Sequence, residues 1–255
     1  MRIIAMHRLL PLSLFAALSA SAAWAVDSHD IHWTYDGPQG PEHWAVLNEG
    51  FHACELGQVQ SPIDILSTST ADLPAIRFRY GTIPTEVVNN GHTIQVNVPA
   101  GHSIVTDGEE YQLVQFHFHT PSEYHIEGKE YPLELHLVHK NAKGALAVVG
   151  VMIEEGPVNT ELEDIFWNAP EKSGTTAKLE TIETDLSKFL PKQDTYFKFM
   201  GSLTTPPCSE GVSWHMMTTP ITASMAQIAK FKERFQMNAR PLQPMNGRLV
   251  VRDIN

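Results

Sequence analysis

The chain has 255 residues, with 18 Lys and Arg against 29 Asp and Glu, and a formal net charge of −11. An acidic chain without a Lys/Arg cluster excludes the electrostatic footprint of a nucleic-acid binder or of a protein held on an anionic membrane. The length suits one large domain with a substantial core, and no linker-like stretch divides it.

Residues 1–25 read as an export signal. Arg2, His7 and Arg8 precede an apolar stretch over 9–20, and Ala23-Trp24-Ala25 fits a small-x-small cleavage site. Pro11 and Ser13 break the stretch, which is too short to span a bilayer comfortably. A buried N-terminal helix is the alternative. Cleavage after Ala25 leaves one domain over 26–255, expected in the periplasm or outside the cell. It removes Arg2 and Arg8 but no acid, so the formal charge moves to about −13.

Short β-rich runs then dominate, separated by Gly, Pro and Asn. Strands are predicted over 85–88, 93–98, 103–105, 111–119, 133–139 and 145–153, and Asn89-Asn90-Gly91 reads as a tight hairpin turn. Helices are expected over 160–167, 177–189 and 224–235, the last capped by Ser224 or Thr222. The fold class is mostly β: a single domain with a few peripheral short helices. Cys54 and Cys208 are the only cysteines. In an oxidising compartment they suggest one disulfide, with two buried free thiols as the alternative.

The chemistry concentrates in two of the strands. In Gln115-Phe116-His117-Phe118-His119, alternation puts Gln115, His117 and His119 on one face. Glu134-Leu135-His136-Leu137-Val138-His139 puts Glu134, His136 and Val138 together and turns His139 away, as a core histidine. If the strands pair, His117, His119 and His136 offer three nitrogens to one metal and leave a fourth tetrahedral position open, as in catalytic zinc sites. Two satisfied histidines beside a polar patch are the alternative for the first strand alone. Gln115 and Glu134, each two residues before a ligand on the same face, are candidates to fix the imidazoles of His117 and His136. Gly201-Ser202-Leu203-Thr204-Thr205-Pro206-Pro207-Cys208 reads as a rigid loop with hydroxyls at set positions.

QFHFH at 115–119, ELHLVH at 134–139 and GSLTTPPC at 201–208 together resemble the α-class carbonic anhydrases. HWTYDG at 32–37, GPEHW at 40–44, QSPIDI at 60–65, NNGH at 89–92 and RPLQPMNGR at 240–248 support the match in order and spacing. The resemblance implies a large, twisted, mainly antiparallel sheet with zinc held by His117, His119 and His136 at the base of a conical cleft. It implies reversible hydration of carbon dioxide to bicarbonate by a zinc-bound hydroxide. Thr204 would accept from that hydroxide and donate to Glu123. Val138, Val148, Leu203 and Trp214 would form the carbon dioxide pocket, with Thr205 near bicarbonate.

By the same resemblance His92 would shuttle protons to buffer, and Tyr35, Asn90 and Gln95 would order cleft water. A Cys54–Cys208 bridge, cis bonds at Ser61-Pro62 and Pro206-Pro207, and a homodimer also fit it. Tyr124 departs from the histidine common after the gate glutamate, which puts the hydrogen bonds supporting Glu123 in question; a tyrosine hydroxyl can also donate. Two other functions are set beside this one: a non-catalytic zinc-binding or adhesion module of the same fold, and a zinc-dependent esterase. Loss of a zinc histidine would mark the first, and none is missing.

Overall fold

The computed structural model describes residues 32–67 and 69–255. The signal-peptide reading of residues 1–25 therefore lies outside the described residues. Ten strands run in one continuous hydrogen-bonded order. Across the sheet these are Thr175–Asp185, Thr82–Asn89, Ile94–Asn97, Glu109–His119, Leu133–Lys140, Leu146–Glu155, Glu210–Met217, Tyr196–Ser202, Val251–Asp253 and Ser69–Ala71. Arg77–Arg79, Ser103–Thr106 and Ile221–Ala223 join off this path. Most pairings are antiparallel. Leu146–Glu155 pairs in parallel with Glu210–Met217 and with Ile221–Ala223, and Val251–Asp253 with Ser69–Ala71, so the sheet is mixed.

The two faces of this sheet do different work, and alternation decides which residue goes where. On one face Phe116, Phe118, Leu135, Leu137, Val149 and Val151 are fully buried. The helices Thr160–Asn168 and Met225–Lys232 cover that face with Leu162, Ile165, Phe166, Ile228 and Phe231. The other face carries the histidines and a second apolar cluster around Trp214.

A bulge between Leu113 and Gln115 sets the parity of the key strand. Leu113 opposes His139, yet Gln115 opposes Val138, so Gln115, His117 and His119 turn to the cleft face. His139 goes to the other face, buried, with Nε2 2.7 Å from the Tyr80 hydroxyl.

Helix 225–232 starts at Ser224. Its side chain accepts from the Gln227 amide and the Gln227 side chain accepts from Ser224, a reciprocal cap contributing about 1 kcal/mol. The helix predicted over 177–189 is absent. Thr175–Asp185 is a strand on the sheet edge, followed by a 3-10 turn over Leu186–Phe189. Leu179, Ile182, Leu186 and Phe189 follow a helical spacing only because a register shift between Leu179 and Glu183 resets the strand alternation. Pairing with Thr82–Asn89 outweighs the local helix propensity of Ala, Lys, Leu and Glu.

The predicted tight turn is a wider hairpin. Asn90 to Thr93 link the two strands, and the Asn90 side chain accepts from the amides of His92 and Thr93, both at 2.9 Å. Gly91, at φ +90°, supplies the left-handed residue. Among the described residues no helix is long and apolar enough to cross a membrane.

Candidate metal centre

Sheet register brings three imidazoles together. His117 stands directly across from His136, and His119 lies two residues along the same face. Their ligand-capable nitrogens all lie within 4.8 Å of one another. Each ring already has its other nitrogen engaged. His117 Nδ1 meets Gln115 Oε1 at 2.8 Å, His119 Nδ1 meets the Asn238 carbonyl at 2.7 Å, and His136 Nε2 meets Glu134 Oε1 at 2.8 Å. All three partners are acceptors, so the engaged nitrogen holds the proton.

The remaining lone pairs are Nε2 of His117, Nε2 of His119 and Nδ1 of His136. His119 Nε2 is buried with no hydrogen-bond partner among the described residues. An orphaned buried nitrogen facing two other imidazole lone pairs fits a nitrogen-preferring divalent metal, and a set of three leaves one tetrahedral position open. Burial lowers the pKa of His119 to about 4 and of His136 to about 3, and holds His117 well below the usual histidine range. All three are neutral at pH 7, as ligation requires.

Two buried carboxylates stand behind the histidines. Glu134 Oε2 accepts from the amides of Glu123 at 2.7 Å and Tyr124 at 3.0 Å, while its Oε1 holds His136. One side chain thus ties His136 to the backbone of Glu123. Burial raises Glu134, opposed by those two amides, whose hydrogen bonds favour the ionised acceptor. Glu123 Oε1 accepts from the Arg240 amide at 2.9 Å, and its Oε2 lies 3.5 Å from His119 Nε2. Burial raises Glu123 to about 7, against the pull of His119 and hydrogen bonds from the Arg240 amide and the Thr204 hydroxyl. Thr204 is close enough to favour the ionised form, although Glu123 Oε2 has no partner of ordinary hydrogen-bond geometry among the described residues.

The Tyr124 side chain does not take over the support of Glu123. It turns into the apolar cluster, 4.8 Å from the Trp214 ring, and its buried hydroxyl has no hydrogen-bond partner of ordinary geometry among the described residues. The Arg240 backbone supplies the donor instead.

The apolar wall follows from register as well. Gln115 opposes Val138, Val138 opposes Val148, and Val148 opposes Trp214, so a single row across the sheet carries them beside the histidines. Leu203 packs on the same cluster. Above the histidines, Tyr35, Asn90, His92, Gln95 and Thr205 line an open cleft. Cys54 and Cys208 form a disulfide, and the Cys208 amide donates to the Thr205 carbonyl at 2.8 Å, bracing the Thr204–Thr205 loop. Ser61-Pro62 and Pro206-Pro207 are cis, as is Thr120-Pro121, which was not expected.

A family model described as eukaryotic-type carbonic anhydrase matches residues 39–254. The chain belongs to the α-carbonic anhydrase family. It is 47% identical over 239 residues to a carbonic anhydrase of Klebsiella pneumoniae, covering 92% of this chain and 97% of that protein. It is also similar to the solved α-carbonic anhydrase of Thermovibrio ammonificans in complex with the inhibitor sulfanilamide. There the TM-score is 0.84 at 42% identity, covering 87% of this chain and 99% of that one. The Photobacterium profundum α-carbonic anhydrase gives 0.82 at 46% identity, covering 86% and 100%.

Three site features had no signal strong enough to read from sequence. The Asn238 carbonyl on His119 and the Arg240 amide on Glu123 are backbone groups, which every residue possesses. The third is the stack of Trp33 on His92, which joins residues 59 positions apart. The family resemblance over 240–248 assigns no role to that segment, which is where Arg240 lies.

Proposed function

We propose that the protein is exported after cleavage of residues 1–25 to the periplasm or beyond the cell, and that its domain over 26–255 hydrates carbon dioxide reversibly to bicarbonate and a proton. Membership of a family whose relatives are named carbonic anhydrases supports the reaction. The observation that carries the mechanism is the trio of converging imidazole nitrogens, each with its other nitrogen locked by an acceptor. Zinc would be held by Nε2 of His117, Nε2 of His119 and Nδ1 of His136. When bound, zinc supplies the Lewis acid that brings the pKa of water to about 7 in such sites.

The protein's own groups supply orientation. Thr204 directs its proton to Glu123 and keeps its lone pairs for the nucleophile, which can then present only one geometry to the substrate. Glu123 performs this role as an acceptor, so its ionised form is the working one. Carbon dioxide carries no charge and is accommodated by Val138, Val148, Leu203 and Trp214. Thr205 offers a hydroxyl to the bicarbonate product. His92, at the cleft wall, receives the released proton and passes it to buffer.

The test is stopped-flow carbon dioxide hydration by the mature protein, before and after chelation and again after zinc is restored. Fast hydration that needs zinc and collapses in His119→Ala is expected. One equivalent of bound zinc with no hydration above buffer would overturn this function in favour of a zinc-binding module.

A further inference from the structure

Arg240 is 2% exposed, and its guanidinium meets no carboxylate. Nη1 donates to Gln60 Oε1 at 2.9 Å and to the Ser61 carbonyl at 2.8 Å, while Nη2 donates to the Cys54 carbonyl at 2.7 Å. The Trp44 ring lies 5.6 Å from its Cζ. Burying a cation whose hydrogen bonds all go to neutral carbonyls is a costly way to join loops, since desolvation outweighs the attraction of the Glu123 charge. The amide of the same residue, however, donates to Glu123 Oε1 at 2.9 Å.

Two residues before Arg240, Asn238 is anchored to Thr120, Phe118 and His92, so the guanidinium is the second fixed point that aims the amide. Ala239 has only a methyl group, and Pro241 has no N–H to anchor the next link. Gln60 extends the arrangement: its Nε2 donates to the Cys208 carbonyl at 3.0 Å. Guanidinium and Gln60 together therefore grip the carbonyls of both half-cystines. Cys208 in turn ends the loop that carries Thr204. The Arg240 amide that donates to Glu123 and the loop that carries Thr204 are thus referenced to one buried clamp.

We infer that Arg240 is a positioning residue for Glu123: its guanidinium, spread over the Cys54, Gln60 and Ser61 segments, sets where its own amide meets the carboxylate. This rests on the role given to Glu123 above. Lysine keeps the charge but offers a single ammonium to acceptors that a planar fork reaches at once. In zinc-loaded holoenzyme, Arg240→Lys is expected to lower kcat by about 10- to 100-fold, the range seen when outer partners of a metal site are lost. Zinc content should stay at the wild-type value. Amide exchange at position 240 should quicken at least about tenfold, because the amide loses its fixed acceptor.

A double-mutant cycle separates positioning from general damage. In a Glu123→Gln background, Arg240→Lys should cost no more than about twofold further, since residues acting through one another are not additive. An equal loss in both backgrounds, or unchanged exchange at 240, overturns the inference. A fully active Glu123→Gln would instead remove the role of Glu123, and the clamp is then judged on exchange alone. If Arg240→Lys does not fold, Gln60→Met removes one arm of the clamp and enters the same cycle with the same criteria.

Discussion

The rings of Trp33 and His92 lie parallel, 6° apart in plane, with their centroids separated by 3.6 Å. The stack covers one face of the imidazole, which still lines the open cleft. Burial, with His32 adding a like-charge effect, lowers His92 to about 4, so the stacked ring is neutral at pH 7 and the proton-accepting role belongs to the ring when it is off Trp33. Trp33→Ala should expose the ring and move its pKa toward the ordinary histidine value near 6.5. Titration of the His92 ring by NMR reads this directly. A value still near 4 would show that something other than Trp33 keeps the ring desolvated.

Gln115 and Glu134 should matter to the metal unequally. Each fixes one imidazole, and losing such a partner costs about 10- to 100-fold in metal affinity. Glu134→Ala also strands the buried amides of Glu123 and Tyr124, whereas Gln115→Ala strands only the His117 N–H. Competition with a chromophoric chelator should rank Glu134→Ala as the weaker zinc binder. The reverse order would contradict the role drawn for Glu134.

Gly201 sits where a side chain has no room. A Cβ there would lie 2.3 Å from Ser61 Oγ and 2.8 Å from Trp214 Cδ1. Both neighbours are held, Trp214 by its indole N–H on the Ser202 carbonyl at 3.1 Å. Gly201→Ala should destabilise the fold by about 1–3 kcal/mol in urea unfolding, the usual cost of overpacking. A loss below a few tenths would mean that the Ser61 and Trp214 side chains yield freely.

Stability should fall in mild acid through histidines outside the trio of His117, His119 and His136. His139 and His215 are buried, which lowers them to about 3 and about 4. In the unfolded chain they titrate near 6.5, so between these values the unfolded state binds more protons. Their neutral burial is without penalty above about pH 6.5, and stability is lost as pH falls below it. Each group adds a slope of up to about 1.4 kcal/mol per pH unit. Urea unfolding at pH 7 and pH 5 should therefore show a smaller pH loss for His139→Gln than for the wild type. Equal losses would exclude His139 as a source.

Much of the site was legible because its logic is periodic. Alternation in 115–119 and 134–139 placed Gln115, Glu134 and three histidines on matching faces, and that inference needs only strand geometry. The motifs that resemble the family carried Thr204, Glu123 and the apolar residues. Where periodicity misled, as over 177–189, a bulge on an edge strand copied the spacing of a helix.

By itself, the sequence determined the family, the sheet-dominated class and which imidazoles could share a metal, because composition and a two-residue period are local properties. Only the tertiary structure decided that His117 stands opposite His136, that Asn238 holds His119, that Trp33 covers His92 and that the Arg240 amide meets Glu123. Those choices depend on register, on a bulge at one position and on backbone groups common to every residue. They are settled by how distant segments pack, which no local pattern encodes.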